Sequence, residues 1–374
     1  MKTKRKSLRM SIGILSIVLI VGLFISGCSQ QESEKVQQSE FEIKLNHIAS
    51  IEEFPELDPP WIVRPAAVIS HDDGFVLLDS QQRRIHVLHK DGTLKAAFGR
   101  EGRGPGELLG AHFAFSIENE ISIPDVNNAR TSTFNDSGNF LRHAMHESQH
   151  PTISGSVHRW KENRYLTASY ALNNSDCIFY ELNAQSQITG ECFGSYDALE
   201  HSDIELLKHI GRNGTVGELH FIDQDKFIFV PGFYYGVHYV FEWKENEWVQ
   251  EKIIRGFAHN PVAAIEKNEY KQESGYFSIQ YSGTEPMIAQ ILSRSYGYFP
   301  IDDYLLHITR QIVEDDEITI IELFTKDGIY LGHKAEDFPV SQQGKFGMSM
   351  NENHLAIVTS LDLDIYEVEL IVGE

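Results

Sequence analysis

One segment of the chain recurs 46 residues later, and this recurrence restricts the fold more than any other feature. Glu120–Asp125 matches Gly74–Asp79, and Arg130 matches Arg84. Each copy has an apolar strand, a polar turn, a second strand and a glycine turn that is typical of a β-hairpin. A period of this size with about four strands per unit is characteristic of β-propeller blades.

Six polar turns, each followed by an apolar strand, divide the chain into six units. The turns occupy residues 71–74, 117–120, 161–164, 223–226, 300–303 and 351–354. The last unit offers only three strands, and residues 41–50 supply the missing fourth. We therefore expect an all-β, six-bladed β-propeller of four-stranded antiparallel blades, closed by an N-terminal strand, because closure removes two exposed strand edges. The alternative is a five-bladed ring with loose ends.

Two long connections between units predict small helical insertions. One spans residues 196–217 and has a helical pattern near its middle. The other spans residues 259–297, opens with Asn260-Pro261 as a helix cap and first-turn proline, and has a second helical pattern at 287–292. Because alternate connections of a blade emerge on opposite rims, both insertions should lie on the face that carries the blade-to-blade links.

The stretch VLLDSQQRRIHVLHKDGTLKAAFGREGRGPGEL, residues 76–108, resembles an NHL-type repeat. More closely, it resembles the six-bladed β-propeller lipoproteins of Bacteroidetes-like bacteria. The likeness is sharp over residues 66–141 and weaker elsewhere. It implies the propeller fold and, by analogy with other propellers, a ligand site around the central channel on the face of the blade links.

The N-terminus predicts a lipid-anchored protein of the bacterial cell envelope. Residues 1–27 hold five basic residues, no acidic one and an apolar run, and the sequence Ile-Ser-Gly before Cys28 resembles a lipobox. We expect a signal peptide over 1–27, lipid attachment to Cys28, a flexible tether over 28–39 and the propeller domain over 40–374. Ser29 gives no inner-membrane retention signal, which favours the outer membrane. An uncleaved membrane anchor is the alternative.

The charge of the chain argues against a nucleic-acid partner. Its formal net charge is −22, and no basic run occurs outside residues 1–27. A strongly acidic surface repels nucleic acid.

The two remaining cysteines, Cys177 and Cys192, flank a hairpin turn at nearly equal distance. In an oxidising envelope they can form a disulfide. Two unpaired buried thiols remain the alternative, because a register slip of one residue turns one side chain to the other face.

No catalytic motif is recognisable, so we expect no metal and no cofactor. The glycine-rich segment 99–106 lacks the Gly-Lys-Ser/Thr of a phosphate loop and reads as a blade linker. His112 stands where propeller lyases similar to peptidyl-hydroxyglycine lyase carry a metal-binding histidine. That chemistry needs about three imidazoles, and only His220 matches His112 in another blade.

We therefore predict a ligand- or protein-binding module. Aromatic rings and cations on the link-bearing rim combine apolar contact area with polar groups. The candidate binding residues are Trp61, Arg64, Arg100, Arg103, His112, Tyr235 and Tyr276. The expected partner is an envelope protein, a peptide, a glycan or a small anionic ligand. The alternative is an enzyme built in the channel, either a metal-dependent lyase or a lactonase-like hydrolase.

Overall fold

The computed structural model is almost entirely β-sheet. It describes residues 40–146, 156–168, 177–195, 199, 217–258, 262–265, 276–279, 287–313, 316–341 and 344–373. Within these residues there are 27 strands and two 3₁₀ turns, Val126–Asn128 and Gly344–Gly347. None of the described residues belongs to a helix that could cross a membrane.

The first strand, β1 (Phe41–Ile51), is followed by three blades of four antiparallel strands each. Blade 1 holds β2 (Pro65–His71), β3 (Gly74–Asp79), β4 (Arg84–His89) and β5 (Leu94–Phe98). Blade 2 holds β6 (Phe115–Ile117), β7 (Glu120–Asp125), β8 (Arg130–Asn135) and β9 (Phe140–Met145). Blade 3 holds β10 (Val157–Lys161), β11 (Arg164–Ala168), β12 (Cys177–Asn183) and β13 (Ile188–Ser195).

Blades 4 to 6 are separated by a small extra sheet. Blade 4 holds β14 (Glu218–Asp223), β15 (Lys226–Val230), β16 (Val237–Lys244) and β17 (Glu247–Arg255). The extra sheet holds β18 (Val262–Ile265), β19 (Tyr276–Ile279) and β20 (Met287–Ile291). Blade 5 holds β21 (Ser293–Ile301), β22 (Tyr304–Val313), β23 (Asp316–Thr325) and β24 (Tyr330–Glu336). Blade 6 holds β25 (Met348–Asn351), β26 (His354–Val358) and β27 (Leu363–Val372).

The N-terminal strand closes the ring as predicted. β1 pairs antiparallel with β27 from Phe41↔Val372 to Ile51↔Leu363, so blade 6 has the order β1-β27-β26-β25. The six-bladed count and the four-stranded blades are confirmed, and the five-bladed alternative is wrong. Closure gives β27 a partner on both sides, which removes an edge open to aggregation.

The helical insertion predicted at residues 287–292 is wrong. Residues 287–291 form β20, the central strand of the order β18-β20-β19. The apolar run Met-Ile-Ala-Gln-Ile suits a short strand as well as one helical turn, and periodicity cannot separate the two over five residues. Residues 262–265 after the predicted cap are also a strand, whereas Asn260-Pro261 and most of the 196–217 insertion lie outside the described residues.

The core lies between neighbouring blades, because the second strand of each blade has two buried faces. Every residue of β3 is buried. Leu77 packs in a cluster with Ile365 of blade 6, and Val76 packs in a cluster with Ile123 of blade 2. The continuous apolar run of the sequence therefore reflects a strand held between two other blades.

The repeat in the sequence corresponds to a repeated structural device. Asp79 at the end of β3 is fully buried and accepts the backbone N–H of Val63 at 2.7 Å and of Gln82 at 2.9 Å. Asp125 at the end of β7 does the same for Leu109 and Gly110, both at 2.8 Å. Each carboxylate thus ties the incoming blade link to the loop that follows its own strand.

The matched arginines hold the same links from the other side. Arg84 donates to the carbonyl oxygens of Asp58 at 2.8 Å and Pro59 at 2.9 Å, and Arg130 donates to that of Gly104 at 2.6 Å. These buried or half-buried contacts satisfy backbone groups that have no strand partner. The glycine-rich segment 99–106 is accordingly a blade linker.

The two rims of the ring differ in what they carry. We call the rim with the blade-to-blade links and the loops 80–83, 126–129 and 231–236 the link face. We call the other rim the turn face, because it carries the two-residue turns 72–73, 118–119, 162–163, 302–303 and 352–353. Asp72 and Asp302 in these turns have φ of 50°, a left-handed conformation that a short polar side chain tolerates better than a bulky one.

Cys177 and Cys192, for which bonded and unbonded states were both open, form a disulfide in the structure. Their Cα atoms are 5.7 Å apart on β12 and β13, which pair antiparallel. The bond therefore joins the two outer strands of blade 3.

Candidate functional site

The inner strands of all six blades enclose a central cavity of about 300 Å³. Its lining includes Val68, Ser70, Ala114, Ser116, His158, Glu218, His220, Tyr298, Phe346 and Met350. A second depression of about 730 Å³ lies between blades 5 and 6 on the turn face, but the acidic side chains that line it are exposed to solvent. The central cavity is the stronger candidate, because it combines apolar walls with a few converging polar groups.

The polar groups of the cavity come from blades 3 and 4. The Nε2 of His158 lies 3.0 Å from Oε1 of Glu218, whose side chain is nearly buried at 11% exposure. His220 stands two residues further along β14, and its ring centroid is 6.4 Å from that of His158. Because side chains alternate along a strand, Glu218 and His220 point to the same side of β14.

The environment keeps His220 uncharged. Burial lowers the pKa of His220 to about 4, and the nearby His158 acts in the same direction. Neither ring nitrogen hydrogen-bonds to another described residue. At neutral pH the cavity therefore offers a neutral imidazole, with one donor and one acceptor nitrogen, beside a carboxylate paired with a second imidazole.

Three cationic or imidazole side chains meet on the link face beside blade 1. Arg64 precedes β2, Arg83 lies in the loop between β3 and β4, and His112 lies in the link to blade 2. His112 is exposed but partly shielded from solvent; this partial burial lowers its pKa, and the charges of Arg83 and Arg64 lower it further. Neither arginine has an ion-pair partner in the described part of the chain, and the buried Nε of Arg83 has no hydrogen-bond partner there.

The other predicted binding residues are dispersed. Trp61 is 57% exposed on the link face, and Arg100 is paired with Glu107 at 2.7 Å. Arg103 is exposed in the glycine-rich linker. Tyr235 is on blade 4, where it packs against the core cluster shared with blade 3 and its hydroxyl lies 2.6 Å from that of Tyr239. For Tyr276 the structure describes only its place in β19.

The two histidines weighed from the sequence as metal ligands do not come together. His220 lines the cavity, whereas His112 is exposed on the link face and is not part of the lining. The histidine beside His220 is instead His158, which the sequence analysis did not identify as a candidate. No motif marks His158, and its role becomes visible only when the blades are placed around the ring.

A third group of ionisable residues lies between blades 4 and 5. His238, His307 and Glu322 are fully buried, and their nearest nitrogen and oxygen atoms lie within 4.8 Å of one another. His307 Nδ1 donates to Glu322 Oε2 at 2.6 Å, and His238 Nε2 lies 3.2 Å from the same oxygen. Register explains the first contact, because His307 is the direct cross-strand partner of Glu322. The hydroxyl of Tyr234 lies 2.8 Å from His238 Nε2.

The charge state of this group follows from its burial and its hydrogen bonds. Burial lowers the pKa of His307 to about 4. Burial works to raise the pKa of Glu322, but the interaction with His238 and the hydrogen bond from His307 outweigh it and bring that pKa below its usual value. The signal in the sequence was an ionisable residue within each of three apolar strands, Val-His-Tyr-Val, Leu-Leu-His-Ile and Ile-Ile-Glu-Leu.

The fold and the sequence identify the family. The model of the DUF5128 family, described as a 6-bladed beta-propeller, matches residues 57–275. The chain belongs to this family.

Solved structures show the same fold at low sequence identity. A member of the DUF4221 family from Bacteroides vulgatus is 9% identical and superposes with a TM-score of 0.55, covering 91% of this chain and 100% of that one. A putative exported protein from Bacteroides fragilis is 11% identical with a TM-score of 0.51, covering 89% of this chain and 96% of that one. No curated protein matches the sequence of this DUF5128 member.

Proposed function

We propose that this DUF5128 propeller is a lipid-anchored binding module of the bacterial cell envelope that holds a small anionic ligand in its central cavity. The cavity of about 300 Å³ with His158, Glu218 and His220 in its wall is the observation that carries this proposal. Its volume matches the lower end of small-molecule sites, which are apolar pockets with a few placed polar groups.

The charge distribution supports an anionic ligand. The chain has a formal net charge of −22, so a general attraction for anions is absent. Arg64, Arg83 and His112 nevertheless gather on the link face, next to the link that enters the cavity wall at Ala114. The charges of Arg64 and Arg83 concentrate anions at this part of the rim, and this effect decreases as salt is added.

The lipid anchor rests on the N-terminal sequence. The basic and apolar residues of 1–27 and the lipobox-like residues before Cys28 support export and lipid attachment. An envelope location gives the small-ligand module access to solutes that cross the outer membrane.

An enzyme in the same cavity is the second candidate function. The pairing of His158 with Glu218 beside the neutral His220 supports it, since an imidazole oriented by a carboxylate is a common general base. The two functions differ in outcome: a binding module returns the bound ligand unchanged, whereas a lyase or a hydrolase consumes it.

The proposal is tested with a panel of small carboxylates, sugar acids and sugar phosphates in a thermal-shift screen, followed by calorimetric titration of each hit. Ser70 lines the cavity and is solvent-accessible, so Ser70→Trp fills the space. Ser137→Trp, on an exposed turn of the turn face, is the matched control. We expect binding by the wild type and by the control and none by Ser70→Trp.

The role of the cations is tested separately. Arg64→Gln combined with Arg83→Gln should weaken the binding of an anionic hit and make that binding less dependent on salt concentration. Lys244→Gln, at an exposed position beside a turn of the turn face, should change neither property. Binding that survives Ser70→Trp and is lost with the two arginine changes would move the site from the cavity to the rim. Binding of a purified envelope protein in place of any small molecule would contradict the proposal.

A further inference from the structure

The buried group between blades 4 and 5 has the residue types and the fixed side-chain orientations of a metal site. Two imidazole nitrogens and one carboxylate oxygen converge, namely those of His238, His307 and Glu322, and all three side chains have no solvent exposure. A fourth possible ligand atom, the hydroxyl oxygen of Tyr234, lies beside His238 Nε2 at 2.8 Å. Mixed nitrogen and oxygen ligands suit zinc and its transition-metal neighbours, whereas calcium and magnesium prefer oxygen alone.

Each of the three converging residues is held by its other polar atom. The Nδ1 of His238 lies 2.7 Å from the hydroxyl of Tyr298, and the Nε2 of His307 lies 2.9 Å from Oγ of Ser295. The remaining oxygen of Glu322, Oε1, accepts the backbone N–H of Phe257 at 2.6 Å. Metal ligands characteristically have such outer partners, which fix the ring orientation and the tautomer.

The backbone approaches the group closely at Gly256. A Cβ atom on Gly256 would stand 2.1 Å from the hydroxyl of Tyr234, 2.2 Å from Glu322 Oε1 and 2.7 Å from His238 Nε2. Only glycine fits at this position. Apolar side chains of Val240, Leu305 and Phe324 surround the group and exclude water.

We infer that Tyr234, His238, His307 and Glu322 bind one divalent transition-metal ion of the zinc class, which fastens blade 4 to blade 5. A tetrahedral ion with bonds of about 2.0–2.2 Å keeps its ligand atoms roughly 3.4 Å apart. The 3.2 Å separation of His238 and Glu322 is close to this value. The two shorter contacts, His307 to Glu322 at 2.6 Å and Tyr234 to His238 at 2.8 Å, are each bridged by a proton in the metal-free group.

Binding needs no redox step and releases one proton. Tyr234, whose hydroxyl now donates to His238 Nε2, binds as the phenolate and gives its proton up to solvent. His307 moves its proton from Nδ1 to Nε2, where it donates to Ser295, and Nδ1 donates its lone pair to the ion. His238 binds through Nε2 and keeps its proton on Nδ1, where it donates to the oxygen of Tyr298. Four protein ligands without an open position are typical of a structural site, not of a catalytic one.

The test is the metal content and thermal stability of the full-length protein. Wild-type protein exposed to Zn²⁺ and then desalted should retain one equivalent by elemental mass spectrometry, and a chelator should lower its melting temperature until Zn²⁺ is added back. His307→Gln and Glu322→Gln should lose both properties. His86→Phe changes a buried histidine of blade 1 and should keep both.

A positioning variant covers the case in which those two substitutions prevent folding. Ser295→Ala removes only the hydroxyl behind His307, so it should fold and should reduce Zn²⁺ affinity about 10–100-fold in competition with a chelator. The inference would be overturned if the wild-type protein took up no metal, or if Ser295→Ala and His307→Gln retained as much metal as the wild type. The group would then be a hydrogen-bonded network only.

Discussion

Removing β1 should abolish folding of the ring. The strand contributes Ile43 and Ile51, each 9% exposed, to two core clusters, and Phe41 and Leu45 pack against the first of these. Burial of an aliphatic or aromatic side chain stabilises by about 1.5–3 kcal/mol, so the two isoleucines alone contribute roughly 3–6 kcal/mol. Unfolding free energies of whole domains are about 5–15 kcal/mol, and truncation also exposes an edge of β27.

The assay compares two truncated proteins by thermal melting and by size-exclusion chromatography. A chain that begins at Glu40 retains β1 and should melt cooperatively, whereas one that begins at Glu56 should aggregate. A milder pair lies within β1 itself. Ile43→Ala should destabilise by about 2–4 kcal/mol in urea unfolding, while Ile48→Ala, at a position 39% exposed, should stay within about 0.5 kcal/mol of wild type. Equal melting temperatures of the two truncated proteins, or equal effects of the two alanines, would refute the closure argument.

Three further predictions concern a buried histidine, a repeated aspartate and the N-terminus. Burial lowers the pKa of His86 to about 4, so the unfolded chain binds a proton at this residue more readily than the folded chain. The contribution of the neutral His86 to the free energy of unfolding is fully present above pH 6.5. It is lost as the pH falls from there through 4, by about 3 kcal/mol in all. His86→Phe should remove this dependence in urea unfolding at a series of pH values, and an unchanged slope would contradict it. Asp125→Asn, which replaces a carboxylate that accepts from Leu109 and Gly110, should cost about 1–3 kcal/mol, whereas the exposed Asp327→Asn should cost almost nothing in the same assay. Cys28→Ser should move the protein from the membrane to the soluble fraction, and its retention at high salt would indicate an uncleaved anchor instead.

The fold was predictable because the sequence repeats the residues that perform repeated tasks. Asp79 and Asp125 each accept hydrogen bonds from a blade link, and Arg84 and Arg130 each hold the link before their own blade. These polar anchors occur in blades 1 and 2, where the repeat is sharp. In the other blades only the turns and apolar strands remained as signals, and they sufficed for the count of six.

The candidate sites were less predictable, since they depend on how blades meet. His238 and Glu322 are 84 residues apart and belong to different blades, and His158 and Glu218 are 60 apart. No spacing along the chain reports such neighbours. The error at residues 287–292 has a different cause: five residues contain too little periodicity to separate a strand from a helical turn.

The most direct test of the account is native mass spectrometry of the protein after incubation with the anionic hits of the binding screen. We expect one small molecule per wild-type chain, the same in Ser137→Trp, and none in Ser70→Trp, whose added indole fills the cavity lined by His158 and His220. Equal occupancy of the wild type and Ser70→Trp would contradict the claim that the central cavity is the ligand site.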